Sequence, residues 1–316
     1  MILRPIETPE EVRTYEAMFS VYLTRDILLE SDFGDPLTPE EFAYYSSDAY
    51  RSEITRLCAR PVDPVHRYFM MENGERIGFI MCCTYHSEDG KCYVMETCIE
   101  PPYRGLGLGK NIFTLLKDIE QATYYELSTS SVRAKRFWES QGFRLNGYGM
   151  DGSVMMLLPP AESTFACEEL REKDFPQLLA LAYKYKREIG EPPMTEAQQA
   201  ALREAIAGGR IRFFVAKRQT RVVGMCSVCR FFSTYQCRAS GIFEDFYIEP
   251  VFRGQGIARM LTNYVQKACI GEGISSLWVG CSPGDTLMYQ ALGFSVLLGN
   301  LLTWNLGDTL KAAPPK

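Results

Sequence analysis

Apolar positions along this chain keep changing period, and the changes mark out its elements. "MILRPI" at the start is a short extended run. Over about 9–23 and 39–59 apolar residues return every three or four positions among acids, the spacing of amphipathic helices. Over 66–72, 75–85 and 92–99 the runs are short, dense in aromatic, Met, Cys and β-branched residues and bounded by turn residues, which predicts three strands. Helical spacing then resumes, with Leu108, Ile112, Leu115, Leu116 and Ile119 on one face. A strand, a short helix ending in Gly142-Phe143, and closing strands finish the series.

The same series then starts again. "FACEEL" opens it, helices follow at 174–188 and 195–207, and strands at 211–217, 221–231 and 241–249. Over 257–269 the stripe Ile257, Met260, Leu261, Tyr264, Val265, Ala268 and Cys269 predicts a helix. A strand, a short helix ending in Gly293-Phe294 and closing strands complete this copy too. Three landmarks recur at intervals of about 150 residues: Gly78 with Gly224, Arg104 with Arg253, and Gly142 with Gly293. The chain therefore divides into two similar domains, 1–160 and 161–316, each expected to be a mixed α/β sheet with helices on both faces. The boundary falls in "LLPPAESTF" (157–165), where paired prolines end a strand, and "KAAPPK" reads as a frayed tail.

Composition narrows the functional classes. A net charge of −5 argues against nucleic-acid binding, which needs a basic face. No apolar run is long enough to span a bilayer and no basic-then-apolar leader is evident, so a cytoplasmic protein without a membrane partner is expected. Eleven cysteines in a chain of 316 residues are not a disulfide framework. Cys226 and Cys229 form one C-x-x-C, but on a strand positions i and i+3 face opposite sides. With two histidines in all, no metal site is expected, and the cysteines read as small buried hydrophobes.

The candidate chemistry lies where the third long strand of each copy meets a helix. "YIEPVFRGQGIARML" (247–261) and "CIEPPYRGLGLGKNIF" (98–113) each place a small-residue turn at a helix start. The first N–H groups of a helix have no intrahelical partner and carry partial positive charge, so such a turn suits an anion. The phosphate loop GxxxxGK[ST] does not fit. Lys110 and Arg259 also stand where the dinucleotide fingerprint needs its third glycine. What fits is R-x-x-G-x-(G/A): Arg104, Gly107, Gly109 and Arg253, Gly256, Ala258.

On these residues the chain resembles the GCN5-related N-acetyltransferase (GNAT) superfamily, in tandem. "FEDFYIEPVFRGQGIA" resembles its acidic-aromatic strand and turn, and "MYQALGF" and "FWESQGF" its second motif. The resemblance implies a duplicated GNAT fold and an acetyl-CoA-dependent enzyme acylating a primary amine by direct attack on the thioester. It implies cofactor contacts from Tyr247, Ile248, Arg253, Gly254, Gln255, Gly256, Ile257, Ala258 and Arg259, and from Arg104, Gly105, Gly107, Gly109 and Lys110. It implies that Glu244 is the base and that Tyr289 protonates the thiolate. Aligning Glu100-Pro101 with Glu249-Pro250 puts Met95 opposite Glu244 and Trp138 opposite Tyr289, so the C-terminal copy is expected to be catalytic and the N-terminal one degenerate. Glu96 is one position off, and only a bulge would bring it to the matching face. Ser282 and Asp285 stand where the family often has Asn and Ala, and Ser131 likewise replaces that Asn.

The segments between the first two helices of each copy, 28–42 and 186–199, usually overlie the acceptor in this family. Both are acidic and contain proline, which suits a cationic small-molecule or peptide amine. They also read as ordinary capped helix starts. The alternatives are a CoA-binding module without catalysis, or activity residing in the N-terminal copy. A monomer or homodimer is expected.

Overall fold

The computed structural model describes residues 1–27, 32–33, 37–149, 151–161 and 164–299. The N-terminal strands are β1 (Ile2–Pro5), β2 (Val65–Glu72), β3 (Glu75–Thr84), β4 (Lys91–Ile99), β5 (Tyr124–Thr129), β6 (Arg144–Tyr148) and β7 (Val154–Leu158). They form one sheet in the order β1-β2-β3-β4-β5-β7-β6. A second sheet runs β12-β11-β10-β9-β8, from β8 (Phe165–Glu169), β9 (Arg212–Arg218), β10 (Arg221–Ser233), β11 (Arg238–Ile248) and β12 (Leu277–Trp278). Neighbours are antiparallel except β4 with β5 and β11 with β12. At the β2–β3 hairpin Asn73 and Gly74 both take positive φ (50 and 83), the two-residue turn whose twist matches the strands.

The unbroken apolar text of β3 follows from burial on both faces. Ile80 and Cys82 point to one core, with Ile112, Phe113 and Leu116 of α4 (Leu108–Glu120) and Trp138 of α5 (Val132–Ser140). Phe79, Met81 and Cys83 point to the other, with Tyr15, Phe19 and Tyr22 of α1 (Pro9–Tyr22). The second sheet is sandwiched likewise between α6 (Phe175–Glu188) and α8 (Ile257–Gly271).

Capping chemistry sets the helix starts. Thr8 with Glu11, Thr38 with Glu41 and Thr195 with Gln198 form reciprocal capping boxes, starting α1, α2 (Pro39–Tyr45) and α7 (Glu196–Ala207). The single helix expected over 39–59 is two. Ser47 leaves helical geometry (ψ 160) and accepts from the Tyr50 N–H, which starts α3 (Asp48–Ala59). In the second copy α9 (Thr286–Ala291) is followed by no strand through residue 299. The rest of its expected closing strands and the "KAAPPK" tail lie outside the described residues, as do parts of the 157–165 boundary and of the 28–42 segment. Among the described residues no helix is long and apolar enough to cross a membrane.

The two sheets are not independent beads. Tyr124 and Leu157 of the first copy are fully buried in a core otherwise built by the second, and the Tyr124 hydroxyl donates to the Arg218 carbonyl at 2.6 Å. Beside them is an ionic cluster whose side chains are at most 7% exposed. Arg221 donates to both oxygens of Glu249 (2.7 and 2.9 Å) and to Asp89 (2.7 Å). Lys184 bridges Glu249 (2.7 Å) and Glu126 (3.1 Å), and the Asn146 amide donates to Glu249 (3.0 Å). Burial opposes ionisation of Glu249, but Arg221 and Lys184 outweigh it and hold its carboxyl below the ordinary range.

Removing one member of such a cluster strands buried charge on its partners. Arg221→Met is therefore expected to cost about 3–5 kcal/mol and to move a single urea transition, followed by tryptophan fluorescence, to lower denaturant. An unchanged midpoint would show that the cluster does not fasten the halves.

Candidate active site

Both sheets open at the same place. β4 pairs with β5 only from Lys91↔Tyr124 to Tyr93↔Glu126. β11 pairs with β12 only at Gly241↔Leu277 and Ile242↔Trp278. Past these pairs the parallel strands part, just where each long strand carries a bulge. In β4, Cys82 faces Val94 while Met81 faces Glu96, so Met95 is the extra residue. In β11, Ser227 faces Glu244 and Met225 faces Tyr247, which leaves Asp245 (φ 52) and Phe246 opposite Cys226. A bulge bends its strand and increases its twist.

The bulges also revise the alignment. Met81 and Ser227 each lie three residues beyond the equivalent glycines, Gly78 and Gly224. Their partners are Glu96 and Glu244. Glu96, not Met95, thus occupies the register position of Glu244. The bulge lies at a different point in each copy, so a residue-by-residue alignment misplaces it by one.

The parted strands of the first copy wall a cavity of about 800 Å³. Its lining takes in residues 94–99 of β4, 127–131 on and after β5, and much of the turn 103–110. Glu96 is partly buried and lines this cavity. Burial pushes its carboxyl up to about 7, against a hydrogen bond from Tyr22 that favours ionisation. Trp138, 7% exposed, packs against Phe113, Phe137 and Phe143 and brings no titratable group to the wall.

The turns are built alike. Gly105 and Gly107 (φ 79 and 77) and Gly254 and Gly256 (φ 77 and 80) take left-handed geometry, with open space where a Cβ would stand. α4 and α8 begin behind Gly107 and Gly256 with no side-chain cap, so their first N–H groups face the turn. Gly109 serves packing, since a Cβ there would meet the Phe137 ring at 2.8 Å; Ala258 fills that position in the second copy. Lys110 lines the cavity, Gln255 donates to the Val251 carbonyl, and Ile257 is core.

Arg104 and Arg253 have carboxylate partners the sequence did not disclose. Arg104 Nε donates to the Ile99 carbonyl (2.6 Å) while its other nitrogens grip both oxygens of Asp26 (3.0 and 2.5 Å). Arg253 Nε donates to the Ile248 carbonyl (2.9 Å) and Nη2 to Glu188 (2.7 and 3.0 Å), with the guanidinium over the Tyr247 ring. In each half the arginine clamps the strand end to a helix end, which leaves much of the anion site to backbone N–H groups. Asp26 and Glu188 carry no sequence signal beyond following the first helix stripe of each copy.

In the second half Glu244 is exposed, and burial followed by the neighbouring Asp245 raises its carboxyl. Tyr289 is half-buried against Phe246 and Phe294, and burial followed by the nearby Tyr185 raises its phenol. Tyr185 in turn lies in the field of Asp245, Glu244 and Asp285. Ser131 caps α5 by accepting from the Ala134 N–H, and the Ser282 hydroxyl donates to Asp285.

All eleven cysteines are free thiols. Cys82, Cys92 and Glu120 bring ligand atoms within 4.8 Å of one another. Glu120 is already saturated, however, by Tyr68 (2.8 Å), His66 Nδ1 (2.9 Å), Thr84 and the Cys82 thiol. Burial would raise that carboxyl, and the hydrogen bonds hold it near 2 instead.

Comparison with known proteins bears on this geometry. The sequence model of the Acetyltransferase (GNAT) domain matches residues 64–145 and 209–296, together more than half of the chain. No curated protein matches. Solved structures that match include an acetyltransferase of Trypanosoma brucei (23% identity, 45% of this chain and 100% of that one, TM-score 0.39). Another is a predicted acetyltransferase with acetyl-CoA from Clostridium acetobutylicum (17%, 45% and 97%, TM-score 0.40). A third is an aminoglycoside acetyltransferase from an uncultured soil metagenomic sample, in complex with trehalose (17%, 46% and 97%, TM-score 0.41). With the family matched once in each half, the chain belongs to the GNAT acetyltransferases as a tandem, two-domain member.

Proposed function

We propose that the protein is an acetyl-CoA-dependent N-acetyltransferase and that transfer takes place in the cavity of the N-terminal half, with Glu96 as general base. The observation that carries this reading is the convergence of three parts on one cavity: the glycine turn, the unpaired edge of β4, and Glu96. Bound acetyl-CoA would supply an acyl group activated as a thioester. The turn's N–H groups suit its pyrophosphate, and N–H groups on the free edge of β4 suit an oxyanion at the thioester carbonyl. A lysine-like amine has a pKa of about 10.4 and is protonated at neutral pH. Glu96, with its carboxyl at about 7, is matched to take that proton as the amine becomes nucleophilic. With Trp138 in place of an acid, the thiolate takes its proton from the amine nitrogen or from water.

A second reading puts transfer in the C-terminal half, at Glu244 with Tyr289 as the acid. It is favoured by the grouping of Tyr289, Tyr185 and the carboxylates of Glu244, Asp245 and Asp285.

Equilibrium binding of acetyl-CoA, followed by free-thiol release with a panel of amines, tests both. Glu96→Gln is expected to lower turnover about 10²–10⁴-fold, while Glu244→Gln and Tyr289→Phe stay within a few fold of wild type. Loss confined to the latter two moves the chemistry to the second half. Binding without thiol release for any amine leaves a non-catalytic CoA module. The pH profile of kcat/KM should rise through an inflection near 7 that Glu96→Gln removes.

Glu96 also links pH to stability. Its folded-state carboxyl lies at about 7 against an ordinary 4.5, so the fold holds this proton more tightly than the unfolded chain does. That contribution is complete below about pH 4.5 and is lost as pH rises through about 7. Glu96→Gln should therefore melt higher than wild type, the gap opening between those values and constant above them. A variant that melts lower at pH 8 would contradict this account of the carboxyl.

A further inference from the structure

We propose a thiophilic metal site, for a divalent cation of the zinc class, built from Cys82, Cys92 and Glu120 in the N-terminal half and separate from the cavity. Cys82 and Cys92 are 0% exposed and Glu120 5%. Their ligand atoms all lie within 4.8 Å of one another. Three elements bring them there. Thr84 of β3 pairs with Cys92 of β4, so Cys82, two residues before Thr84, shares its face and stands diagonally from Cys92. Glu120 ends α4 over that face, where its carboxylate accepts from Cys82 and Thr84. The set is drawn from distant positions, and nothing in its sequence spacing announces a metal.

The spacing fits a tetrahedral ion. Metal–sulfur and metal–oxygen bonds of about 2.3 and 2.0 Å put a sulfur and an oxygen ligand about 3.5 Å apart. Cys82 Sγ and Glu120 Oε1 are 3.6 Å apart. With its thiol protonated, Cys82 donates to that oxygen; a cation that expels the proton takes up the same place between them. Two of the donors that satisfy Glu120 are outer-shell support for a ligating carboxylate rather than competitors. Tyr68 donates to Oε1 (2.8 Å) and Thr84 to Oε2, which fixes the orientation of the group. Among the described residues Glu120 forms its ion pair with His66 (2.9 Å), whose side chain is 41% exposed, and none with Lys or Arg. Buried charge is stable when paired or bound to metal. Two thiolates and a carboxylate against a divalent ion leave one negative charge, which protonated His66 offsets.

Ligand chemistry sets the class of ion. Thiolates select Zn²⁺ or Cd²⁺ over Mg²⁺ and Ca²⁺, which are held by oxygen. Binding breaks two S–H bonds, forms two metal–sulfur bonds and one metal–oxygen bond, and releases both protons to solvent, with no change of oxidation state. The fourth position is left to a nitrogen or oxygen ligand, the His66 ring or water. The site's place in the fold gives it a structural role. It ties the end of α4 to β3 and β4, and these elements carry the glycine turn and Glu96 at the cavity. None of the three ligands lines the cavity itself.

The test uses the full chain produced in medium supplemented with zinc, and separately with cobalt. Zinc is expected to be retained at a single ion per chain, and X-ray absorption to show two sulfur and two nitrogen or oxygen neighbours. The cobalt form should show thiolate-to-metal charge transfer and the intense visible bands of tetrahedral geometry. Cys82→Ala and Cys92→Ala should each abolish stoichiometric retention, while replacing the exposed thiols by Cys237→Ser and Cys281→Ser leaves it intact. A strong chelator should lower the melting temperature of the wild-type chain, and added Zn²⁺ but not Mg²⁺ should restore it. The coordination of the wild-type chain decides the matter even where an alanine variant fails to fold. A chain that keeps no zinc, an ion without sulfur neighbours or with four of them, or a Cys82–Cys92 disulfide in the chain as isolated overturns the site. So does retention that disappears with the exposed thiols.

Discussion

The structure depends on a strand edge that stops pairing inside the protein. A row of backbone groups enclosed without partners is costly. Ordinary folds avoid it by closing the sheet or exposing the edge. Here β4 and β11 each follow a parallel neighbour for two or three residues and then leave it at a bulge. The rest follows from holding that gap open. The Nε of Arg104 and of Arg253 fastens the carbonyl at the strand end, and Asp26 or Glu188 anchors the guanidinium from the opposite helix. The glycine turn then brings a helix start to the same edge, so that backbone donors from strand and helix converge. Such an arrangement suits a ligand that runs along an edge and ends in anions.

Duplication kept this backbone device and let the side chains around it diverge. The acidic residue just before each turn shows how far. In the first copy Glu100 pairs with Arg25 within its own half. In the second its counterpart Glu249 is fully buried and joins Arg221 and Lys184 to Glu126 and Asp89 of the other half. Three carboxylates share two cations there, a balance that tolerates no missing member. One copy's approach to its turn thus became the joint between the copies, while the other copy kept the deeper enclosure around its glutamate.

Much of this was legible in the order of residues. Strand and helix periods, the capping boxes at Thr8, Thr38 and Thr195, and the repeat of the Arg-Gly turn are local patterns, and local geometry reads them directly. What misled was also local. Continuous apolar spacing hid the break at Ser47, because a cap hydrogen bond costs the stripe nothing. Counting back from the Glu-Pro pair put Met95 opposite Glu244, because a bulge adds a residue to one strand without changing its composition.

The sequence by itself determined the duplication, the mixed sheets with helices on both faces, and the glycine turns at two helix starts, since each follows from short-range periodicity and backbone sterics. Only the tertiary structure decided which glutamate shares the register of Glu244, that the motif arginines are held by Asp26 and Glu188, and that Tyr124 of one half completes the core of the other. Those outcomes depend on where distant strands align and which charges are buried together. Pairing register and desolvation are properties of the assembled chain, and no window of neighbouring residues contains them.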